Sequence, residues 1–142
     1  MSTPDPRLLS ICDNYVRAVR EKNVAAFLSL YHPTARVFDT WSTWSYEGVP
    51  ARRQVIEKWF GSLGEERVAV MFDRVQTTVA GDLASLTARA VFAAIAPDGA
   101  ELRSMQNRLT WVLQPDGDAW KIIHEHTSVP LGPDLKGLLA RE

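Results

Sequence analysis

The chain has 142 residues, 46% of them hydrophobic and 23% charged, with a formal net charge of −1. That is one domain's worth of sequence with apolar content for one core, and so small a charge gives no footprint for nucleic acid or an anionic membrane. Cys12 is the only cysteine, so an internal disulfide is impossible, and no apolar run approaches the ~20 residues of a membrane-spanning helix.

The opening stretch MSTPDPR lacks the basic and apolar regions of a signal peptide. Together with the lone cysteine, this leads to the expectation of a cytoplasmic protein. After Pro4-Asp5-Pro6, the residues Leu8, Ile11, Cys12, Tyr15 and Val19 recur at helical spacing, which turns Tyr15 towards the interior. A short second helix is expected from Val24 to Tyr31, stopped by His32-Pro33. The segment TARVFD then alternates as a strand, with Ala35, Val37 and Asp39 on one face and Arg36 and Phe38 on the other.

The stretch FDTWSTWSYEG places two tryptophans and a tyrosine in what reads as a loop. Loops are usually polar, because irregular backbone buried away from water leaves its N–H and C=O groups unpaired. The aromatic loop is therefore expected to close over an apolar hollow, with Trp41, Trp44 and Tyr46 as ligand wall, joined by Tyr31. Filling of core or a subunit contact is the competing use of the same rings. A third helix is expected from Pro50 to Gly61, its stripe formed by Val55, Ile56, Trp59 and Phe60.

The second half changes period. Residues 67–80, 83–95, 101–113 and 119–128 are rich in β-branched and aromatic residues, and Gly81-Asp82, Pro97-Asp98-Gly99 and Pro115-Asp116-Gly117 separate them as tight turns. Helices followed by an antiparallel meander argue an α+β fold: a cone-shaped barrel of three N-terminal helices packed in a strongly curved, mostly antiparallel sheet. Residues 1–142 read as one domain, with the core at about 8–128 and a short, helical C-terminal tail beyond Pro130.

Pairing polar with polar positions sets Arg89 opposite Arg108 and Thr87 opposite Thr110. Like charges so opposed want an anion between them, from the protein or from a ligand. In the next hairpin, the preferred register joins Arg108 to Glu125, Leu113 to Trp120 and Trp111 to Ile122, which turns His124 and His126 away from Arg108. HEH at 124–126 invites a metal, but zinc takes three or four ligands and His32, the only other histidine, sits at a helix stop. No metal and no cofactor is expected, and the histidines are read as structural, at a subunit contact.

The stretches YVRAVREKN…SLYHPTARVFD and RLTWVLQPDGDAWKIIHEHTS resemble the nuclear-transport-factor-2-like superfamily, nearest to its SnoaL-like branch, over roughly residues 8–128. The closing strand carries it: Arg108-x-Thr110, the Gly117 turn, Trp120, then His124-x-His126-x-Ser128. The resemblance implies a cone-shaped fold that dimerises through the outer face of its sheet. Tyr15-Val16-Arg17-Ala18 is similar to the helix of ketosteroid isomerase that carries its oxyanion tyrosine, and Asp39 ends the first strand as that enzyme's proton-abstracting aspartate does. The later strand that carries the isomerase's protonated aspartate holds Arg108 and Thr110 here, a departure from that oxyanion hole.

The expected function is thus a small-molecule pocket with cofactor-free acid–base chemistry of the isomerase, dehydratase or polyketide-cyclase type. Asp39 would be the general base, with Tyr15 and Arg108 as further catalytic groups. Trp41, Trp44, Tyr46, Tyr31, Arg89, Thr110 and Glu125 would bind a carboxylate or a planar carbonyl compound. The alternative is a non-catalytic binding or association domain holding a small anion between Arg89 and Arg108. Neither nucleic acid nor membrane is expected as a partner; a second copy of the chain is.

Overall fold

A computed structural model describes residues 5–141. Met1–Pro4 and Glu142 lie outside it, so the reading of MSTPDPR as no leader rests on sequence alone. Helix α1 (Pro6–Glu21) starts where the Asp5 carboxylate accepts the Arg7 backbone N–H at 2.8 Å, and Pro6 suits a first turn whose N–H groups have no helical partner. Its inner stripe, Leu8, Ile11, Cys12, Tyr15 and Val19, is buried as the spacing predicts. Asn23 caps α2 (Val24–Leu28) by accepting the Ala26 N–H at 3.0 Å.

The second helix was expected to reach Tyr31, yet it ends at Leu28, and Tyr31 opens strand β1 (Tyr31–Phe38). The cause is tertiary. The Leu30 carbonyl accepts the Ile122 N–H at 2.9 Å and Tyr31 pairs with Ile122, so a distant strand captures the chain before helical propensity runs out. Pro33 is tolerated because the ladder is irregular between Tyr31 and Arg36. The short β2 (Tyr46–Glu47) pairs back onto β1, and Gly48 at φ 86 leads into α3 (Val49–Ser62). Only glycine suits that position, since a Cβ there would lie 3.2 Å from the Pro33 carbonyl oxygen.

Strands β3 (Arg67–Ala80), β4 (Leu83–Ile95), β5 (Glu101–Asp116) and β6 (Ala119–Ser128) form the meander. All six strands join one sheet in the order β2-β1-β6-β5-β4-β3, mixed because β1 runs parallel to β6 and otherwise antiparallel. The sheet is open between β2 and β3, so the expected barrel does not close on itself. Helix α1 lies against β3 and β6, and α3 against β1 and β2. Between helices and sheet, Trp111, Phe27, Leu8, Ile56, Leu86 and Leu113 form the fully buried centre of the core.

Register decides which side chains reach that interior. The β4–β5 pairing matches expectation, with Arg89 opposite Arg108 and Thr87 opposite Thr110. The β5–β6 pairing does not: Arg108 pairs with Ser128, Thr110 with His126, Trp111 with Glu125 and Leu113 with Ile122. Two features explain the difference. Strand β5 continues through Pro115 to Asp116, leaving Gly117-Asp118 as the turn, and Ile123 is an extra residue opposite the Val112–Leu113 step. Such a bulge reverses the alternation beyond it. Trp120 and Ile122 face inward before it, Glu125 and Thr127 after it. His124 and His126 consequently share the outer face with Arg108, contrary to the expectation.

Beyond Pro130 no helix forms among the described residues. Leu131 bridges to Gly137, which folds the tail back on itself as a tight loop, and the Leu139 carbonyl accepts the Gln106 N–H at 2.9 Å, which ties it to β5. No helix among the described residues is long and apolar enough to cross a membrane.

Candidate functional site

Three elements bring one polar cluster to the inner end of a cleft. Strand β1 ends with Phe38 facing out and hands Asp39 to the inside; α3 supplies Arg52; β6, once past its bulge, supplies Glu125 and Thr127. The Arg52 guanidinium donates to both carboxylates, through Nη1 to Asp39 Oδ2 at 3.3 Å and through Nη2 to Glu125 Oε2 at 3.5 Å. Its charge also lies over the Tyr46 ring, 5.4 Å from the centroid. Glu125 is 1% exposed. Its other oxygen, Oε1, accepts the Tyr31 hydroxyl at 2.5 Å and the Trp111 indole N–H at 2.9 Å. Asp39 Oδ1 accepts the Thr127 hydroxyl at 3.1 Å, and Thr127 in turn accepts the Thr40 backbone N–H at 2.9 Å.

Each partner is necessary because a buried charge without one is strongly unfavourable. Burial is the largest single influence on Arg52 and works against its positive charge, but Glu125, Tyr31, Asp39 and Tyr15 together outweigh it and hold the guanidinium pKa above its usual range. Burial first, and then the Glu125 charge, push the phenols of Tyr15 and Tyr31 well above the usual tyrosine value, so both keep their protons. Tyr15 is held by rings on three sides, with centroids of Phe27, Phe72 and Trp111 at 5.0, 5.4 and 5.8 Å.

The cluster opens into a cavity of about 720 Å³. Asp39, Tyr15, Arg52, Glu125 and Thr127 form its polar end, and Val55, Ile56, Trp59, Leu63, Val68, Phe92 and Met105 its apolar walls. Trp41, Tyr46, Lys58 and Arg103 also line it. A planar apolar body against the walls would bring a reacting atom to the carboxylates.

Asp39, Tyr15, Glu125, Trp41 and Tyr46 therefore meet in one cavity. The other expected site residues do not line it. Arg108 is exposed on the outer face and donates to the Ser128 hydroxyl at 3.1 Å, because its even position on β5 points away from the helices. Arg89 takes its anion from the protein, binding both oxygens of Asp73 at 3.0 and 2.9 Å, and Thr110 shares the outer face opposite His126. Trp44 is 96% exposed at the loop tip, while Tyr31 acts behind Glu125 as its hydrogen-bond donor. The pair of strand arginines thus faces away from the cavity, and the cation at its polar end is Arg52.

Sequence reasoning missed Arg52, Trp111, Thr127 and Asn107. Arg52 stands four residues before Ile56 and seven before Trp59, so it continues the stripe of α3 by one turn; a charged residue in a core stripe was the available signal. The expected register pairs Trp111 with Ile122 and gives no sign of its bond to Glu125. Thr127 and the orientation of Glu125 depend on the bulge, which leaves no mark in the alternation.

Among the described residues, no group of three or more His, Cys, Asp or Glu side chains could hold a metal ion. The SnoaL-like domain model matches residues 8–132. The chain belongs to the SnoaL-like domain family, within the nuclear-transport-factor-2-like superfamily. No curated protein sequence matches this SnoaL-like chain. Among solved structures it is similar to an NTF2-like protein of unknown function from Pseudomonas putida, with 22% identity, TM-score 0.81, and 96% of this chain and 94% of that one covered. It is also similar to Aln2 from a Streptomyces species, at 12% identity and TM-score 0.77, over 89% of this chain and 93% of that one. An NTF2-like superfamily protein from Salmonella enterica matches at 17% identity and TM-score 0.68, over 90% and 92%. At such identities the likeness is one of fold alone.

Proposed function

We propose that this SnoaL-like domain is a cofactor-free acid–base enzyme acting on a planar carbonyl compound, with Asp39 as general base. The observation that supports this best is the Asp39 carboxylate at the polar end of a large, mostly apolar cavity, fixed by Arg52 and Thr127. Asp39 takes a proton from a carbon next to the carbonyl. The oxygen that gains negative charge is met by the Tyr15 hydroxyl, and the fixed Arg52 charge 3.3 Å from Asp39 favours the anion as it forms. Arg52 thereby takes the role expected of Arg108. Isomerisation, dehydration and aldol-type ring closure all begin with this step. We place a second copy of the chain on the outer face of the sheet, the side opposite the helices.

Deuterium exchange into 2-tetralone, a bicyclic ketone with a flat benzo ring and acidic C–H groups beside its carbonyl, tests the base. Exchange by the wild-type protein above buffer should fall about 10²–10⁴-fold in Asp39→Asn. The thermal shift produced by the ketone should stay within about 2 °C of wild type, because the shape of the cavity is kept. Equal exchange in wild type, variant and buffer would falsify the acid–base reading.

A further inference from the structure

Asn107 lines the same cavity from β5, on the inner face between Met105 and Leu109 and opposite Ala90 of β4. It is only 6% exposed, and its Oδ1 has no hydrogen-bond partner among the described residues. A buried amide oxygen left so is disfavoured, and native proteins leave few of them unexplained. Its neighbours give no local reason: the side chains of Phe92, Leu109 and Ala90 offer neither donor nor acceptor, and Met105 has only a weakly accepting sulfur, which cannot donate to Oδ1. Thr127, which holds Asp39, lies on the strand beside it and pairs with Leu109 two residues on. A polar side chain thus interrupts the apolar wall where a ligand held at Asp39 would pass.

We infer that Asn107 is a specificity-determining residue that reads a hydrogen-bonding edge of the ligand. A primary amide presents one donor and one acceptor side by side, and rotation about χ2 exchanges them. Its complement is a planar edge that carries a carbonyl beside an N–H or O–H, as in a lactam or a hydroxy-carbonyl compound. Such a ligand supplies the missing donor to Oδ1 and an acceptor to Nδ2, while its rings rest on Trp59 and Phe92. The inference rests on the reading of the cavity as a ligand site and narrows the planar carbonyl class to members with that edge. Discrimination follows the usual asymmetry, in which a site built around a buried polar group rejects an analogue that leaves the group unpaired.

Isoquinolin-1(2H)-one and isocoumarin differ by N–H against ring oxygen at the same place in the same shape, and so make the test. Calorimetric titration of the wild-type protein should show the lactam binding about tenfold more tightly than the lactone, the worth of one good hydrogen bond. In Asn107→Leu that preference should vanish, while the empty protein melts about 2–6 °C higher because an unpaired amide has been replaced by apolar surface. Asn107→Ala provides the same comparison of ligands if the leucine overfills the wall. Equal affinity of both compounds for wild type, or a preference that survives both substitutions, overturns this inference and leaves the cavity reading standing. No binding of either compound at millimolar concentration overturns the two together.

Discussion

A single arginine holds the polar end together. Arg52 is 7% exposed, and its two nitrogens go to two carboxylates that stand 86 residues apart in the chain, Asp39 and Glu125. Such an arrangement need not be more stable than an apolar one, but removing its shared cation leaves the buried Glu125 and the partly buried Asp39 without a counter-charge. Arg52→Met, which keeps most of the volume, should therefore lower stability by about 3–5 kcal/mol, read as a shift of the urea midpoint at unchanged slope. A loss below about 1 kcal/mol would mean that water solvates the pair from the cavity and that Arg52 is not its essential partner. At this scale the sequence was informative where one strand sufficed: Asp39 faces inward because Ala35 and Val37 do, and Tyr15 because it completes the stripe of α1. Its signal for Arg52, a charge in line with the core stripe of α3, is weak, since a charged residue at the start of a helix is far more often solvated than buried.

Apart from the short β2 and the expected C-terminal helix, elements were legible to within a few residues, registers only in part. Strand β4 alternates cleanly against β5, so matching polar to polar gave the right pairing, and the two-residue turn at Gly81-Asp82 closes the β3–β4 hairpin as its sequence suggests. The β5–β6 hairpin defeated the same logic because Ile123 is apolar and passes unnoticed as part of an alternating run, although it is the bulge that carries Glu125 inward. The end of α2 was misread for a different reason, since its partner β6 lies some ninety residues away. Strand β3 hides a comparable device. Its ladder to β4 is irregular between Asp73 and Gln76, and Arg74 adopts φ 52, a conformation unfavourable by roughly 1–2 kcal/mol for a residue with a Cβ. Glycine takes that conformation without strain but loses more chain entropy on folding, by about 0.5–1 kcal/mol. Arg74→Gly should accordingly raise stability by up to about 1 kcal/mol, or a few degrees in Tm. A lower Tm would show that the Arg74 side chain contributes more than its backbone strain takes away.

At the scale of the whole molecule, the sheet has two unlike faces, and the alternation of β1 joins them. Phe38 and Asp39 are neighbours in sequence, yet Phe38 packs outside against His124 and His126, with centroids at 4.9 and 5.6 Å, while Asp39 meets Arg52 inside. Helices cover the inner face only. An antiparallel sheet can leave its other face to water, so exposure alone argues for no partner. What favours a second copy is the composition of the outer face, where Phe38, Val112 and the two histidines interrupt the charged and hydroxyl side chains of Arg36, Arg108 and Thr110. A two-fold contact would set this patch against itself and needs to bury ~800 Å² on each copy to persist. Sedimentation at micromolar concentration should then report twice the 15.9 kDa of the chain. Phe38→Lys should report one chain with its circular dichroism intact, because the lysine meets water in the monomer and a like charge across the two-fold axis. A wild-type mass of one chain at every concentration would refute the contact. Asp39 lies one residue further on and faces the other way, so the monomeric variant should keep 2-tetralone exchange within about tenfold of wild type: the positioning of the base depends on Arg52 and Thr127, both supplied by its own chain.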